Sequence, residues 1–343
     1  MILQSQAPAR IDLAGGTLDI WPLYLFHQDA QTLNFAVNYY ARCRLTARRD
    51  KVIEFVSHDL RLRERFSSLS ALMQAKSCRL PLLARLVMAF GPQRGFTLAT
   101  DSDVPAGSGL GGSSALNIAI CGALSRFAGR RLSLPKLIET ARNVEAQVLG
   151  VPTGEQDYYS AVYGGAHSIR LTPHGVVPEK LKVASKQLSE RFLLCYTGES
   201  RNSGVNNWEV LKAHVDGNRR VIRQFDRIAA IAAEMRQALE TQDWRRTSEL
   251  LNQEWATRKK NCPGITTPGI ERLVAAARRN GALAAKACGA GGGGCVLFLA
   301  EPEAKPRLEA VLRRAGASVL PFRVSATGLE VRSGTRRAIS ASR

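Results

Sequence analysis

Between residues 105 and 116 the chain reads PAGSGLGGSSAL, with glycine at 107, 109, 111 and 112. Glycine reaches backbone conformations closed to residues with a Cβ and weakens helices and strands from within, so this stretch is a loop with a specialised backbone. The apolar-periodic SALNIAICGALSRF (114–127) follows at once and reads as a helix starting at Ser113 or Ser114. A glycine loop running into a helix start turns several N–H groups and the positive dipole end toward one point. That arrangement suits an anion, phosphate above all. Serine hydroxyls at its mouth can reach the phosphate or a magnesium ion.

Gly107, Gly109 and Gly112 also satisfy G-x-G-x-x-G, the spacing of a dinucleotide-binding turn. Such a turn follows a buried strand directly and needs an acid about 20 positions downstream to hold the ribose. Here Pro105 precedes the turn, and the downstream window reads FAGRRLSLPK, without an acid. There is no GK dipeptide, hence no Walker A loop, and no HRD or DFG, hence no protein kinase core. A second glycine run, GAGGGG at 289–294, fits no helix or strand interior and implies close backbone approach, to phosphates or to the first loop.

At 343 residues the chain is long enough for two domains. Strands are expected at 41–48, where small or apolar residues alternate with polar ones, and at 52–56, 95–100, 166–171, 191–196, 295–300 and 318–324. Helices are expected at 133–150 (Ser133 as cap, Gly150 past the end), within 206–260, at 268–282 and near 303–316. The division falls near the polar stretch 183–190, giving units 1–187 and 188–331 and a basic tail, 332–343.

No apolar run is long enough to span a membrane, and MILQSQAPAR lacks the core of a secretion signal, so a cytoplasmic protein without a membrane partner is expected. Seven cysteines without metal-ligand spacing read as free thiols. His27, His58, His167, His174 and His214 form no readable constellation. Lys and Arg number 48 against 29 Asp and Glu, a net charge of +19 that attracts polyanions: nucleic acid or a phosphorylated substrate. The basic residues are dispersed and no aromatics interleave with them, which favours a solvated face over a nucleic-acid interface.

PAGSGLGGSSAL resembles the P-x-G-x-G-L-G-S-S-A loop of the GHMP kinases, the family of galactokinase, homoserine kinase, mevalonate kinase and phosphomevalonate kinase. PARIDLAGGTLDI near the N-terminus and KACGAGGGGCVLFLA near the C-terminus resemble the other two family motifs, in the family order. The resemblance implies an α+β, two-domain fold: an N-terminal mixed-sheet nucleotide-binding domain and a C-terminal ferredoxin-like α+β domain. It implies ATP- and Mg2+-dependent phosphorylation of a small-molecule hydroxyl, with Pro105, Gly107, Ser108, Gly109, Leu110, Gly111, Gly112, Ser113 and Ser114 binding the nucleotide. In VPTGEQDYYSAVYGG (151–165), Asp157 matches the family's base aspartate, and Arg10 matches the basic position beside it. Glu145 matches a magnesium-binding glutamate, with Ser113 or Ser114 as its partner. Gly112 stands where many relatives have serine, so the choice of hydroxyl stays open. A surface glutamate pairing with Arg142 is the other reading of Glu145.

AGGTLDIWPLY is closer to heptose-phosphate kinases and fucokinases than to the GEHTDY of galactokinases, and YTGESRNS (196–203) leans the same way. Gly15, Gly16, Asp19, Gly154, Arg201, Gly291 and Gly292 are thus expected at the substrate. The implied partner is a sugar or sugar phosphate phosphorylated at its anomeric hydroxyl, most like D-glycero-D-manno-heptose 7-phosphate. Fucose, galactose and mevalonate are the alternatives, no nucleic acid is expected, and homodimer formation stays open.

Overall fold

The structure, a computed structural model, describes residues 1–199, 204–261 and 264–334. Eight of its strands form one mixed sheet: β1 (Ile2–Ala14), β2 (Gln31–Ala47), β3 (Ile53–Ser57), β4 (Leu62–Phe66), β5 (Phe96–Ser102), β6 (Ala166–Thr172), β7 (Gly175–Lys180) and, from the far end of the chain, β12 (Glu330–Gly334). Four more, β8 (Phe192–Tyr196), β9 (Ala282–Ala287), β10 (Cys295–Ala300) and β11 (Ser318–Leu320), form a separate antiparallel sheet.

The first sheet has the order β12-β1-β2-β5-β3-β4, with β6 and β7 continuing from the outer part of β2; only β3 and β5 run parallel. The alternation read at 41–48 is real: Ala41, Cys43 and Leu45 are buried while Arg42 and Arg44 are half-exposed. The helix Gly112–Phe127 lies across β1 and β2, burying Ala115, Ile118, Ala119 and Ile120. Beside it runs Leu134–Leu149, whose Ser133 hydroxyl accepts from the Lys136 N–H and whose Gly150 closes the end at φ +66°.

In the second sheet the order is β11-β8-β10-β9, or fourth, first, third, second along the chain; helices join β8 to β9 and β10 to β11, and the second glycine run joins β9 to β10. This is the ferredoxin-like arrangement the motifs implied. The helical spacing at 206–260 resolves into Gly204–Val215, Arg219–Glu240 and Trp244–Arg258, the last two capped by Asn218 and Asp243. Ala9, Ile11 and Leu13 of β1 share a core with Phe192, Leu194, Leu297 and Leu299, so the two sheets are packed together.

Two expectations are corrected. The stretch 318–324 is strand only to Leu320, because Pro321 has no N–H to continue the ladder. Beyond it the chain returns to the first sheet, where Val324 bridges Val37. Residues 332–334, expected in the basic tail, are the end of β12, whose backbone completes the outer edge of β1. The polar stretch at 183–190 is largely helical, Ser185–Arg191, and leads straight into β8. No helix among the described residues is long and apolar enough to cross a membrane.

Candidate active site

The loop after β5 takes left-handed backbone at Gly107 (φ +65°), Gly109 (φ +80°) and Gly111 (φ +70°), and the helix begins at Gly112. No side chain caps that helix, so its first amides are open to a ligand. The loop borders a cleft of about 730 Å³, the size of a small-molecule site. Gly107 to Gly109, Gly111 to Ser114, Glu145 and Asp157 line its inner part, and Leu80, Leu82, Leu116 and Leu149 make its apolar part. Leu110, by contrast, is fully buried, and its carbonyl accepts the Arg10 N–H at 2.9 Å.

Arg10 reaches this cleft from β1. Its Nε donates to Asp157 Oδ1 at 2.7 Å, and its Nη1 donates to the Gly109 carbonyl. Burial works against the Arg10 charge, but the carboxylates of Asp157 and Asp12 outweigh it and hold the guanidinium more firmly ionised than usual. Asp157 stands in the first turn of the helix Gln156–Tyr163, and a Cβ at Gly111 would lie 2.9 Å from its Oδ2. A carboxylate, a cation that orients it and a phosphate-type loop thus meet at one point.

Glu145 is buried at 4% exposure, so the surface pair with Arg142 does not form; Arg142 instead binds Glu155 at 2.6 Å. Ser113 Oγ donates to Glu145 Oε1 at 2.6 Å, while Ser114 Oγ (3.2 Å) and Tyr158 OH (2.6 Å) donate to Oε2. Ser113 is exposed and Ser114 is buried, and both border the cleft. Carboxylate and hydroxyl oxygens are the donor set a magnesium ion takes.

The turn after β1 packs against Gly154, a cleft-lining residue, without bordering the cleft itself. Gly15 (φ +81°) packs where a Cβ would meet the Gln31 carbonyl at 2.0 Å, so it serves the backbone and not the cleft. Gly16 leaves room for Arg258 and Gln156, whose nearest atoms would lie 2.9 and 3.4 Å from a Cβ there. Thr17 holds φ +76°, a strained conformation for a β-branched residue, and its hydroxyl accepts from Arg258 Nη2 at 3.2 Å. Asp19 is buried against Gly154 and accepts the Gln156 N–H at 3.0 Å; burial raises its pKa to about 6.

The second glycine run closes on the first. Gly294 lies so near the loop that a Cβ would sit 2.6 Å from the Ser108 carbonyl, and the Cys295 N–H donates to that carbonyl at 2.7 Å. Gly291 and Gly292, expected at the substrate, instead pack against the Ile265 carbonyl, which accepts the Gly292 N–H at 2.6 Å. Arg201 lies outside the described residues.

Sequence reasoning missed a buried charge cluster behind these loops. Asp12, fully buried on β1, accepts the Gly289 N–H at 2.7 Å and pairs with Lys286 of β9; Arg258 Nη1 lies 3.4 Å from it and Arg10 Nη1 3.8 Å. Burial opposes the Asp12 charge, yet Lys286, Arg10 and Arg258 hold its pKa well below the carboxylate range. Glu254, fully buried, stands 3.9 Å from Lys286 and 3.5 Å from Arg258, and burial raises its pKa. A lone lysine inside ALAAKAC was the available signal, because a cation there needs a buried partner. His27 and His214, not joined by any sequence pattern, meet with their Nε2 atoms 3.0 Å apart while His27 Nδ1 binds Asp226, away from the cleft.

Comparison with known proteins agrees with this geometry. The profile of the GHMP kinases N terminal domain matches residues 78–165, and that of the GHMP kinases C terminal matches residues 235–318. A D-glycero-alpha-D-manno-heptose 7-phosphate kinase of Campylobacter jejuni is 29% identical, over 96% of this chain and 98% of its own length. A mevalonate kinase of Thermococcus sibiricus is 28% identical over 70% of each chain. Among solved structures, a D-glycero-D-manno-heptose 1-phosphate kinase from Bacteroides thetaiotaomicron superposes with a TM-score of 0.78 at 23% identity, covering 97% of this chain and 99% of its own.

Proposed function

The chain belongs to the GHMP kinase family, and from that premise we propose that it is an ATP- and magnesium-dependent sugar kinase. Its acceptor is the anomeric hydroxyl of D-glycero-D-manno-heptose 7-phosphate or a closely related sugar. The observation that carries this reading is the meeting of Arg10, Asp157 and the 105–114 loop at one end of a single cleft. The heptose preference rests on the near full-length relative and on the AGGTLD turn.

In this reading the apolar part of the cleft takes the base of ATP, and the loop amides with the open helix start hold its phosphates. Glu145 and Ser113 fit magnesium as an oxygen pair already 2.6 Å apart. When bound, the ion neutralises phosphate charge and fixes the phosphate geometry. Asp157 takes the proton of the sugar hydroxyl as its oxygen attacks the γ-phosphorus, and the bond to the β-phosphate oxygen breaks to release ADP. Arg10 keeps the Asp157 carboxylate aimed. Asp19, ionised above a pKa of about 6, accepts sugar hydroxyl hydrogens.

The test is ADP release from ATP and magnesium against heptose 7-phosphate, fucose, galactose, mannose and mevalonate, with Asp157→Asn in parallel. Turnover on heptose 7-phosphate, reduced about 10²- to 10⁴-fold in the variant, is expected. Turnover on mevalonate alone would overturn the sugar assignment. An Asp157→Asn variant as fast as the native chain would overturn the base.

A further inference from the structure

We propose that Asp12 is a positioning residue: anchored by Lys286, its one buried carboxylate sets the donor loops, the Arg10–Asp157 pair and the acceptor turn in register for transfer. The inference rests on the reading of the cleft as a kinase site. Asp12 is tied to the parts of that site through its direct partners Gly289, Arg10 and Arg258, without lining the cleft. Its Oδ1 accepts the Gly289 N–H at 2.7 Å, fixing where the second glycine run begins, and stands 3.8 Å from the Arg10 guanidinium. Arg10 in turn holds the Gly109 carbonyl and Asp157. Its Oδ2 faces Lys286 and, at 3.4 Å, Arg258, which holds the strained Thr17 beside Gly16.

Charge and shape both matter here. Asparagine offers one acceptor oxygen and an amide that donates, so it cannot serve the Gly289 N–H and the Lys286 ammonium at once. A neutral residue at 12 also leaves Lys286 buried without its nearest anion, since Glu254 is 3.9 Å away. Because Lys286 also donates to the Asp12 carbonyl at 3.0 Å, backbone and side chain of this residue are gripped together from β9. In an in-line transfer, donor and acceptor held on different segments must not drift by even an ångström, and this carboxylate is bonded toward both.

The experiment compares the native chain with Asp12→Asn, the pair removal Asp12→Asn/Lys286→Met, and Lys286→Arg. It measures melting temperature, kcat, the KM of each substrate, and hydrogen exchange in the peptide spanning 288–295. Asp12→Asn is expected to lower kcat about 10- to 100-fold while each KM stays within about threefold. The pair removal regains melting temperature, because no buried charge is left unpaired at that site, yet its kcat stays low. Lys286→Arg keeps most of kcat. A kcat that returns together with the melting temperature would reduce the role to stability and overturn the proposal, as would a loss carried wholly by one KM. Should Asp12→Asn fail to fold, the pair removal carries the kcat comparison.

If the native chain phosphorylates no sugar, the kinase reading on sugars fails by itself. The positioning role is then read on the background hydrolysis of ATP and on exchange at 288–295. Faster exchange and slower hydrolysis in the variants uphold it; unchanged exchange overturns it.

Discussion

The two glycine-rich loops look alike in sequence and do opposite work. PAGSGLGG borders an open cleft, where its left-handed glycines lead into a helix whose first turn carries no side-chain cap from its N-cap residue. GAGGGG is packed on both sides, with Gly291 against the Ile265 carbonyl and Gly294 against Ser108 and Gly107. One run uses glycine for the directions its N–H groups can take, the other for the absence of a Cβ where backbones touch. Composition does not separate these uses, and the residues across from each loop do.

The contrast can be broken most severely at Gly294. Alanine there must adopt φ +75° and place its Cβ 2.6 Å from a backbone carbonyl that has nowhere to go. A loss of at least about 2 kcal/mol is expected in denaturant unfolding, together with most of the activity. At Gly111 alanine must likewise hold a left-handed φ, +70°, but the atoms nearest the added Cβ belong to the movable side chain of Asp157, at 2.9 Å. Gly111→Ala should therefore cost kcat about 10- to 100-fold through displacement of the base, with a smaller drop in melting temperature than Gly294→Ala.

Glu145→Gln sharpens the reading of the open loop. It should raise the magnesium concentration for half-maximal rate by roughly 10- to 100-fold, seen in a metal titration at saturating ATP. The acceptor side responds to pH. Asp19 binds its proton more tightly folded (about 6) than in its ordinary state (3.8), so kcat/KM for the sugar should rise as pH passes through about 6. Stability of the ligand-free chain moves the other way. The contribution of Asp19 is full below pH 3.8 and is lost as pH rises through about 6, a slope in melting temperature that Asp19→Asn should flatten. The smallest effect is expected between the two serines. Ser113→Ala should raise the magnesium requirement about 3- to 10-fold, and Ser114→Ala should change it less, since Ser114 is the more buried and the more distant from Glu145, at 3.2 Å against 2.6 Å.

What could be read from sequence was what a local rule governs. Ser133, Pro135 and Gly150 bracket their helix because caps act over one turn, and alternation exposed the strand at 41–48 because one of its faces is wet. The first half of β2, QTLNFAV, is buried throughout and has no alternation to show. β1 was read as a motif and not as a strand for the same reason, its apolar residues being interrupted by Arg10 and Asp12, which are themselves buried. Arg10, Glu145 and Asp157 were legible through their motif positions. Asp12, Lys286 and Arg258 were not, because their pairing spans the two sheets and no spacing along the chain encodes it.

Ile2 pairs with Gly334 and Gln6 with Glu330, so β1 has its outer neighbour only when residue 330 and beyond are present. A ribosome making this chain must therefore pass residue 330 before the first strand can be flanked on both sides. Until then that strand offers a row of unpaired amides and carbonyls to any other extended segment nearby, including the same strand in a second nascent chain. Loss of β12 would leave that edge open for good, and the expected result is aggregation of freshly made protein, in a species that keeps Arg10, Glu145 and Asp157.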